Sequence, residues 1–312
     1  MSRRIVIVPS FASSHFLKCA IPNWIETLNP DVILINESIF PEGPENKGHI
    51  DEEFRKKWTY SGNSDVGFDS LESIKIAGYV EKELIQKMGI IWKPKIIFNP
   101  IKYTSSDVNQ CFIQAMTEFV LDVFQPEIGD LIFPLEPDAL LFEGDIEVIN
   151  QEIMKLKPGE GISVKWMDFL ETQYYTEAIN LQNPKFRRFC YCFDSMENYQ
   201  AAIDGFTSQN YPKLKTAESF FIRHYCWMTP PKWKELRFDL IYRSDPNYWK
   251  SFNEGLNWIR LKSEVFKKRS NLKYEKPDDI IMRPSRTDAG RFATFIDIEH
   301  PKAIMNHPNF VK

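Results

Sequence analysis

Hydrophobic residues follow two alternating spacings along the first half of the chain. Short continuous apolar runs that end in polar residues predict strands buried on both faces of a sheet. Apolar residues three or four positions apart predict amphipathic helices between those runs. The strands are predicted at residues 3–10, 30–38, 93–101 and directly after Gly129, and the helices at residues 13–29, 70–90, 106–125 and 144–156. Pro22 lies inside the first of these helices, where it would break or kink it.

The alternation of strand and helix, with short turns, predicts right-handed crossovers and an α/β fold built on a mixed, mainly parallel sheet flanked by helices. Ligands bind such sheets at the carboxyl ends of the strands. The polar residues at three predicted strand ends are therefore the first candidates for a binding site: residues 10–14, 36–38 and 136–138.

The second half of the chain is less regular. Its apolar patterns predict strands at 161–170, 185–194, 235–244 and in the tail after residue 291, and helices at 216–228 and 246–269. No internal repeat and no low-complexity linker separates the two halves. We therefore expect residues 1–150 and 151–312 to form one compact domain.

Composition and charge narrow the class of protein. The chain has 312 residues and a net charge of −4, which argues against a nucleic-acid or membrane footprint over its whole surface. No apolar run is long enough for a membrane span, and the first one is too short for a signal peptide. The five cysteines are odd in number and scattered, which argues against a disulfide framework. The expectation is a cytoplasmic protein with reduced thiols.

Two acids follow the fourth predicted strand, where Glu136 and Asp138 flank Pro137. On an extended chain their side chains would point to opposite faces, but a bend at the proline lets both approach one site. Two carboxylates in a low-dielectric pocket repel each other unless a cation lies between them. Such oxygen ligands suit Mg²⁺ or Mn²⁺ together with substrate phosphates. A solvated turn is the alternative for this tripeptide, and its position after a buried strand favours the metal site.

The segment GDLIFPLEPDALL resembles the acidic motif of GT-A-fold glycosyltransferases of the broad family-2-like group. In that group a Gly-Asp turn leads into an apolar strand that ends in Asp-x-Asp, and here Glu136 replaces the first Asp. The segment IVIVPSFASSHFLKCAI resembles the first strand and nucleotide-binding loop of the family, and DVILINES resembles its second strand. The resemblance covers roughly residues 1 to 150 and implies a GT-A-like fold with a Rossmann-like first half.

The resemblance implies a metal-dependent hexosyl- or pentosyltransferase that uses a nucleotide-diphosphate sugar as donor. Residues 1–150 would bind the nucleotide-sugar and residues 151–312 the acceptor, with Mn²⁺ or Mg²⁺ held by Glu136 and Asp138. The helix that includes SDVNQCFIQAM would face the donor. The residues that the resemblance suggests for the nucleotide are Ser10, Ser13, Asn36, Glu37 and Asn109. Arg223 is a candidate for a phosphate contact, with an ion pair as its alternative.

The resemblance also suggests a base and a third metal ligand. An inverting transfer needs a carboxylate to take the proton of the acceptor hydroxyl. Glu218 is the first candidate, with a helix-terminal acid as its alternative, and Asp168 is the second. The family often completes its metal shell with a C-terminal histidine, which suggests His300. His307 and His224 are alternatives, and each histidine could instead be structural.

Other functions remain open. The chain has no GxGxxG after its first strand, no GxxxxGK[ST] and no GxSxG, which argues against a dinucleotide oxidoreductase, a P-loop kinase and an α/β-hydrolase. A nucleotidyltransferase is the nearest rival enzyme, although its glycine-rich loop is absent, and a non-catalytic nucleotide-sugar-binding protein is the other rival. The basic stretch 260–277 is compatible with a phosphate-bearing acceptor, so a glycan, a lipid-linked sugar and a nucleic acid all stay possible acceptors.

Overall fold

The computed structural model describes residues 2–10, 13–39, 52–58, 72, 95–102, 116, 124–177, 181, 185–204, 213–241, 246–269, 280–283 and 291–312. Within them, the strands are β1 (Arg4–Ser10), β2 (Val32–Ile39), β3 (Lys95–Lys102), β4 (Leu131–Pro134), β5 (Ala139–Leu140), β6 (Gly161–Asp168), β7 (Tyr175–Glu177), β8 (Lys185–Cys192), β9 (Leu214–His224), β10 (Ile280–Arg283) and β11 (Arg291–Phe295). The helices are α1 (Ser14–Leu28), α2 (Glu52–Trp58), α3 (Ile146–Ile153), α4 (Met196–Asp204), α5 (Pro231–Ile241) and α6 (Pro246–Arg269), with 3₁₀ turns at Glu143–Asp145 and Lys302–Asn306.

The main sheet has the strand order β3-β2-β1-β4-β8-β6-β9-β5. Strands β1 to β4 run parallel to one another. Strand β8 is antiparallel to both β4 and β6, and β9 is parallel to β6. The carboxyl ends of β1, β2, β3, β4, β6 and β9 therefore lie along one edge of the sheet, which we call the carboxyl edge. The predicted α/β class with a mainly parallel sheet is confirmed.

Both faces of the sheet are buried, as the continuous apolar runs predict. In β1, Val6 and Val8 belong to one core cluster together with Phe16 and Leu17 of α1. The alternate residues of the same strand belong to a second cluster with Tyr199 of α4. The strand is thus fixed in register, since a shift by one residue would exchange its two faces.

A second, three-stranded sheet has the order β10-β11-β7. It packs with α6 around a third cluster that includes Tyr174, Tyr175, Phe252 and Ile259. No helix in the described part of the chain is long and apolar enough to cross a membrane.

Most predicted elements of the first half are present. The four strands are observed, as are the helices predicted at 13–29 and 144–156, and in the second half the helix at 246–269. Pro22 does not end α1. The proline leaves the carbonyl of Lys18 without its helical partner, and Lys18 is on the exposed side of the helix. The helices predicted at 70–90 and 106–125 lie outside the described residues except for Glu72, Met116, Phe124 and Gln125, of which the last two are not helical.

Two predictions in the second half are wrong. Residues 216–228 were predicted as a helix, but the chain continues as strand β9 up to His224 because it pairs with β6 on one side and β5 on the other. Residues 235–244 were predicted as a strand, whereas α5 runs through Ile241. Pro231 at the first position of α5 is typical of a helix start, whereas the apolar pattern of RFDLI is typical of a strand.

Helix α1 holds the backbone that follows the acid pair. The side chain of Asn23 donates to the carbonyl of Leu141 at 2.7 Å and accepts from the Leu141 N–H at 2.8 Å. The indole of Trp24 donates to the carbonyl of Ala139 at 2.9 Å. All of these groups are buried, so α1 fixes the position at which the chain leaves Glu136 and Asp138.

Replacing Asn23 by Ala should therefore destabilise the fold. Two buried backbone groups of Leu141 would lose their partners, at about 1–3 kcal/mol each. We expect the free energy of unfolding to fall by about 3 kcal/mol in a denaturant titration. Asn150→Ala is the matched control, because that amide bonds within its own helix and is only part-buried, and it should cost under about 1 kcal/mol. Equal losses in the two variants would contradict the role given to Asn23.

Candidate metal and nucleotide site

Four polar side chains meet at the carboxyl edge. Glu136 and Asp138 follow β4, Asp168 is the last residue of β6, and His224 is the last residue of β9. The register of β6 with β9 places Asp168 beside His224, and that of β5 with β9 places Ala139 beside His224. Strand pairing thus brings together residues that lie up to 88 positions apart in the chain.

The histidine lies between the acids. Its Nδ1 is 2.6 Å from Asp168 Oδ1, and its Nε2 is 3.2 Å from Glu136 Oε2 and 3.3 Å from Asp138 Oδ1. Asp138, Asp168 and His224 are buried, and Glu136 is half-buried. One nitrogen of the imidazole is therefore held by a carboxylate while the other faces the acid pair.

The protonation of His224 reflects this crowding. Burial by itself would lower its pKa, but its neighbours Cys226, Asp138 and Asp168 hold the pKa well above the ordinary value. The surrounding carboxylates therefore favour the protonated form of the ring.

The donor set fits a divalent cation. Ligand atoms of Glu136, Asp138 and His224 all lie within 4.8 Å of one another. Two carboxylates suit Mg²⁺ and Mn²⁺, while the imidazole is a poorer ligand for Mg²⁺, which prefers oxygen. Asp168 on the far nitrogen is the kind of partner that orients a metal-bound histidine. A second group of potential ligands, Asp168, His224 and Cys226, shares the same histidine.

Trp166 and Arg187 border the cluster. The guanidinium of Arg187 lies over the indole of Trp166 at 4.9 Å, and its Nη1 is 3.5 Å from Glu136 Oε1. The indole is edge-on to the His224 ring, with 4.9 Å between ring centroids. The Trp166 Nε1 is buried and has no hydrogen-bond partner among the described residues.

The predicted nucleotide residues at the ends of β1 and β2 also lie at the carboxyl edge. The register pairs Ser10 with Glu37 and Pro9 with Asn36, and Ser10, Asn36 and Glu37 are all buried. The Ser10 Oγ has no hydrogen-bond partner among the described residues. Ser13 precedes α1, and its carbonyl accepts from the N–H groups of the first turn. Asn109 lies outside the described residues.

His300, predicted as the third metal ligand, lies outside the cluster. Its Nδ1 is 2.7 Å from the hydroxyl of Tyr225, and its ring packs against Phe169. Burial lowers its pKa from 6.5 to about 3, so the ring is neutral, and its tautomer decides which of Nδ1 and the Tyr225 hydroxyl is the donor. His307 is also buried, and it packs against His15 and Phe16 at the start of α1. His224, an alternative in the sequence, takes the place beside the acid pair.

Glu218 and Arg223 are also away from the cluster. Glu218 is exposed in the bulged part of β9, six residues before His224, and so is not at the carboxyl edge. Arg223 is buried on the face of β9 opposite His224, since successive strand residues alternate. Its guanidinium lies between the rings of Phe221 and Phe142 and donates to the Glu299 carbonyl at 3.0 Å. Arg223 is therefore a cation packed in the interior of the protein.

Arg187 was missed because nothing in the sequence KFRRFCYC separates one arginine from the next. Strand alternation does separate them: Arg188 donates to the Ile203 carbonyl on the other face of β8. Asp168 was proposed only as a base, because the register that places it beside His224 cannot be read from the sequence.

Comparisons with known proteins add little. No family model matches the chain, and no curated protein matches it. Among solved structures, it is similar to 4-diphosphocytidyl-2C-methyl-D-erythritol synthase from Anaerococcus prevotii, with a TM-score of 0.33 and 10% sequence identity. The alignment covers 78% of this chain and 96% of that one. A likeness this slight assigns no activity to the chain.

Replacing Asp168 by Asn should weaken metal binding without removing a ligand. The neutral amide would hold the imidazole less firmly, and loss of such a partner typically costs 10–100-fold in affinity. We expect Mn²⁺ binding, measured by calorimetry, to weaken by roughly that factor, and His224→Ala to abolish it. Glu218→Gln is the control on the same sheet and should bind Mn²⁺ like the wild type. Unchanged affinity in both cluster variants would exclude this metal site.

His300 should make the protein less stable in acid. The unfolded chain takes up a proton at this residue below pH 6.5, whereas the native protein does so only near 3. Stability therefore rises with pH between these values and is lost as the pH falls, by about 2 kcal/mol from pH 7.5 to 5 for this residue.

His300→Asn keeps a hydrogen-bonding group for the Tyr225 hydroxyl but does not titrate. Its free energy of unfolding should therefore fall less steeply between pH 7.5 and 5 than that of the wild type, as measured by denaturant titration at each pH. Burial also lowers the pKa of His307 to about 3, so part of the acid dependence should remain. Parallel pH curves for the variant and the wild type would refute the assignment.

Proposed function

We propose that the protein is a metal-dependent glycosyltransferase that uses a nucleotide-diphosphate sugar as donor. The observation that carries the proposal is the meeting of Glu136, Asp138 and His224 at the carboxyl edge, where open parallel sheets bind their ligands. The buried residues at the ends of β1 and β2 lie along the same edge. They offer a second region for the nucleotide, beside the place for the diphosphate.

Each residue of the cluster has a role in this proposal. Glu136, Asp138 and His224 would hold Mn²⁺ or Mg²⁺, which when bound offsets negative charge on the diphosphate. Asp168 keeps the histidine oriented through its Nδ1. Ser10 and Glu37 would contact the nucleotide, and the Ser10 hydroxyl has no hydrogen-bond partner in the part of the chain that the structure describes.

The transfer exchanges one bond to the anomeric carbon for another. The bond from that carbon to the β-phosphate oxygen breaks, and its electron pair stays on the nucleoside diphosphate. The acceptor oxygen bonds to the anomeric carbon, and its proton passes to a carboxylate. Of the two carboxylates suggested by the sequence, Asp168 belongs to the cluster, so we retain it over Glu218 as the candidate base for an inverting transfer. The Oδ1 of Asp168 holds His224, so the other oxygen would take the proton.

A nucleoside diphosphate is the diagnostic product. The wild-type protein with Mn²⁺ and uridine or guanosine diphosphate sugars should slowly release free sugar and nucleoside diphosphate even without acceptor. A nucleotidyltransferase would instead join a nucleoside triphosphate to a sugar phosphate and release pyrophosphate. A non-catalytic binding protein would show metal-dependent donor binding and no product.

Asp138→Asn is the decisive variant. The loss of one ligand charge should remove both the Mn²⁺-dependent rise in melting temperature with donor and the release of nucleoside diphosphate, by at least about 100-fold. The exposed acid Glu147, in the first turn of α3, gives the control Glu147→Gln, which should retain both. A donor-dependent thermal shift that persists in Asp138→Asn, or is absent from the wild type with every donor tried, would count against the proposal.

A further inference from the structure

Arg187 contacts Glu136, the first residue of the acid pair. Its Nη1 is 3.5 Å from Glu136 Oε1, and about a quarter of the side chain of each residue is exposed, 29% and 25%. The guanidinium rests on the Trp166 indole, which is itself buried. The indole fixes the plane of the guanidinium while leaving part of it open to a ligand.

A metal ion and a diphosphate would change which charged groups pair with Glu136 and Arg187. Arg187 contacts Glu136, which is also one of the three residues that could hold a metal ion. A divalent cation bound by that carboxylate would compete with the guanidinium for its oxygens. A diphosphate bound to the same cation would bring further negative charge beside Arg187. Arg187 can pair with that charge only by turning from Glu136.

We propose that Arg187 binds the β-phosphate of the nucleotide, exchanging Glu136 for the phosphate once a metal ion has taken the carboxylate. This inference rests on the proposed function. A guanidinium presents paired N–H donors that match phosphate oxygens, which a lysine ammonium at this place would not. Departure of the sugar adds one negative charge to the same phosphate, so the contact strengthens as the leaving group forms.

The exchange predicts opposite effects on two ligands. Without Arg187, Glu136 loses a competing cation, so Mn²⁺ alone should bind more tightly, by about threefold or more. Nucleoside diphosphate in the presence of Mn²⁺ should bind about 10- to 100-fold more weakly, because charge-assisted hydrogen bonds to the β-phosphate are lost. Nucleoside monophosphate, which lacks that phosphate, should be affected little.

The test uses Arg187→Met, which keeps an unbranched apolar side chain next to Trp166 and removes the guanidinium. Calorimetry would measure the binding of Mn²⁺ alone, and then of UDP, UMP, GDP and GMP at saturating Mn²⁺. Arg187→Lys keeps the charge but loses the paired N–H donors of the guanidinium, so it should lose part of the diphosphate affinity. Lys215→Met is the control, because it removes an exposed cation, paired with Glu160, at the opposite end of β9.

The expected result is a lower ratio of diphosphate to monophosphate affinity in Arg187→Met and in no control. A variant that binds UDP or GDP as tightly as the wild type overturns the inference and leaves the proposed function standing. A wild-type protein that binds Mn²⁺ but neither diphosphate overturns both. Melting temperatures of the two arginine variants would exclude unfolding as the cause, and Arg187→Lys answers the question if Arg187→Met does not fold.

Discussion

The hydrogen bond between Asp168 and His224 joins the last residues of two parallel strands, and the candidate site depends on it. A strand end alone positions a side chain only within the freedom of its rotamers. Here the 2.6 Å contact fixes the imidazole, so that its other nitrogen faces both acids of the β4 end. The site is thus built by the sheet itself, and the register of β6 with β9 determines its geometry.

Strand β8 lies between β4 and β6 in the sheet and is antiparallel to both. Strands β6 and β9 therefore run in the same direction as the first four strands. Six carboxyl ends consequently share one edge. Asp168 and His224 consequently lie at the same edge as Glu136.

The sequence predicted the first half of the fold well because its signals there are local. A strand buried on both faces must be apolar throughout, and the runs around Val6 and Leu34 are. The acid pair was found for the same reason, since it directly follows such a run. The second half depends on non-local pairing. The order of apolar and polar residues in the β9 sequence also fits a helix. Only pairing with β6 decides between a helix and a strand. For the same reason the sequence favours His300 over His224 as the third metal ligand and does not identify Arg187.

The contacts from Asn23 and Trp24 to the backbone around β5 have a consequence for how copies of this chain meet. Strand β5 is the outermost strand at one side of the main sheet, and the open backbone of an outermost strand is a template for another strand. Here the outward carbonyls of Ala139 and Leu141, and the Leu141 N–H, already bond to side chains of α1. Helix α1 covers the backbone of β5 at this side of the sheet, so strand addition from a second molecule is blocked there.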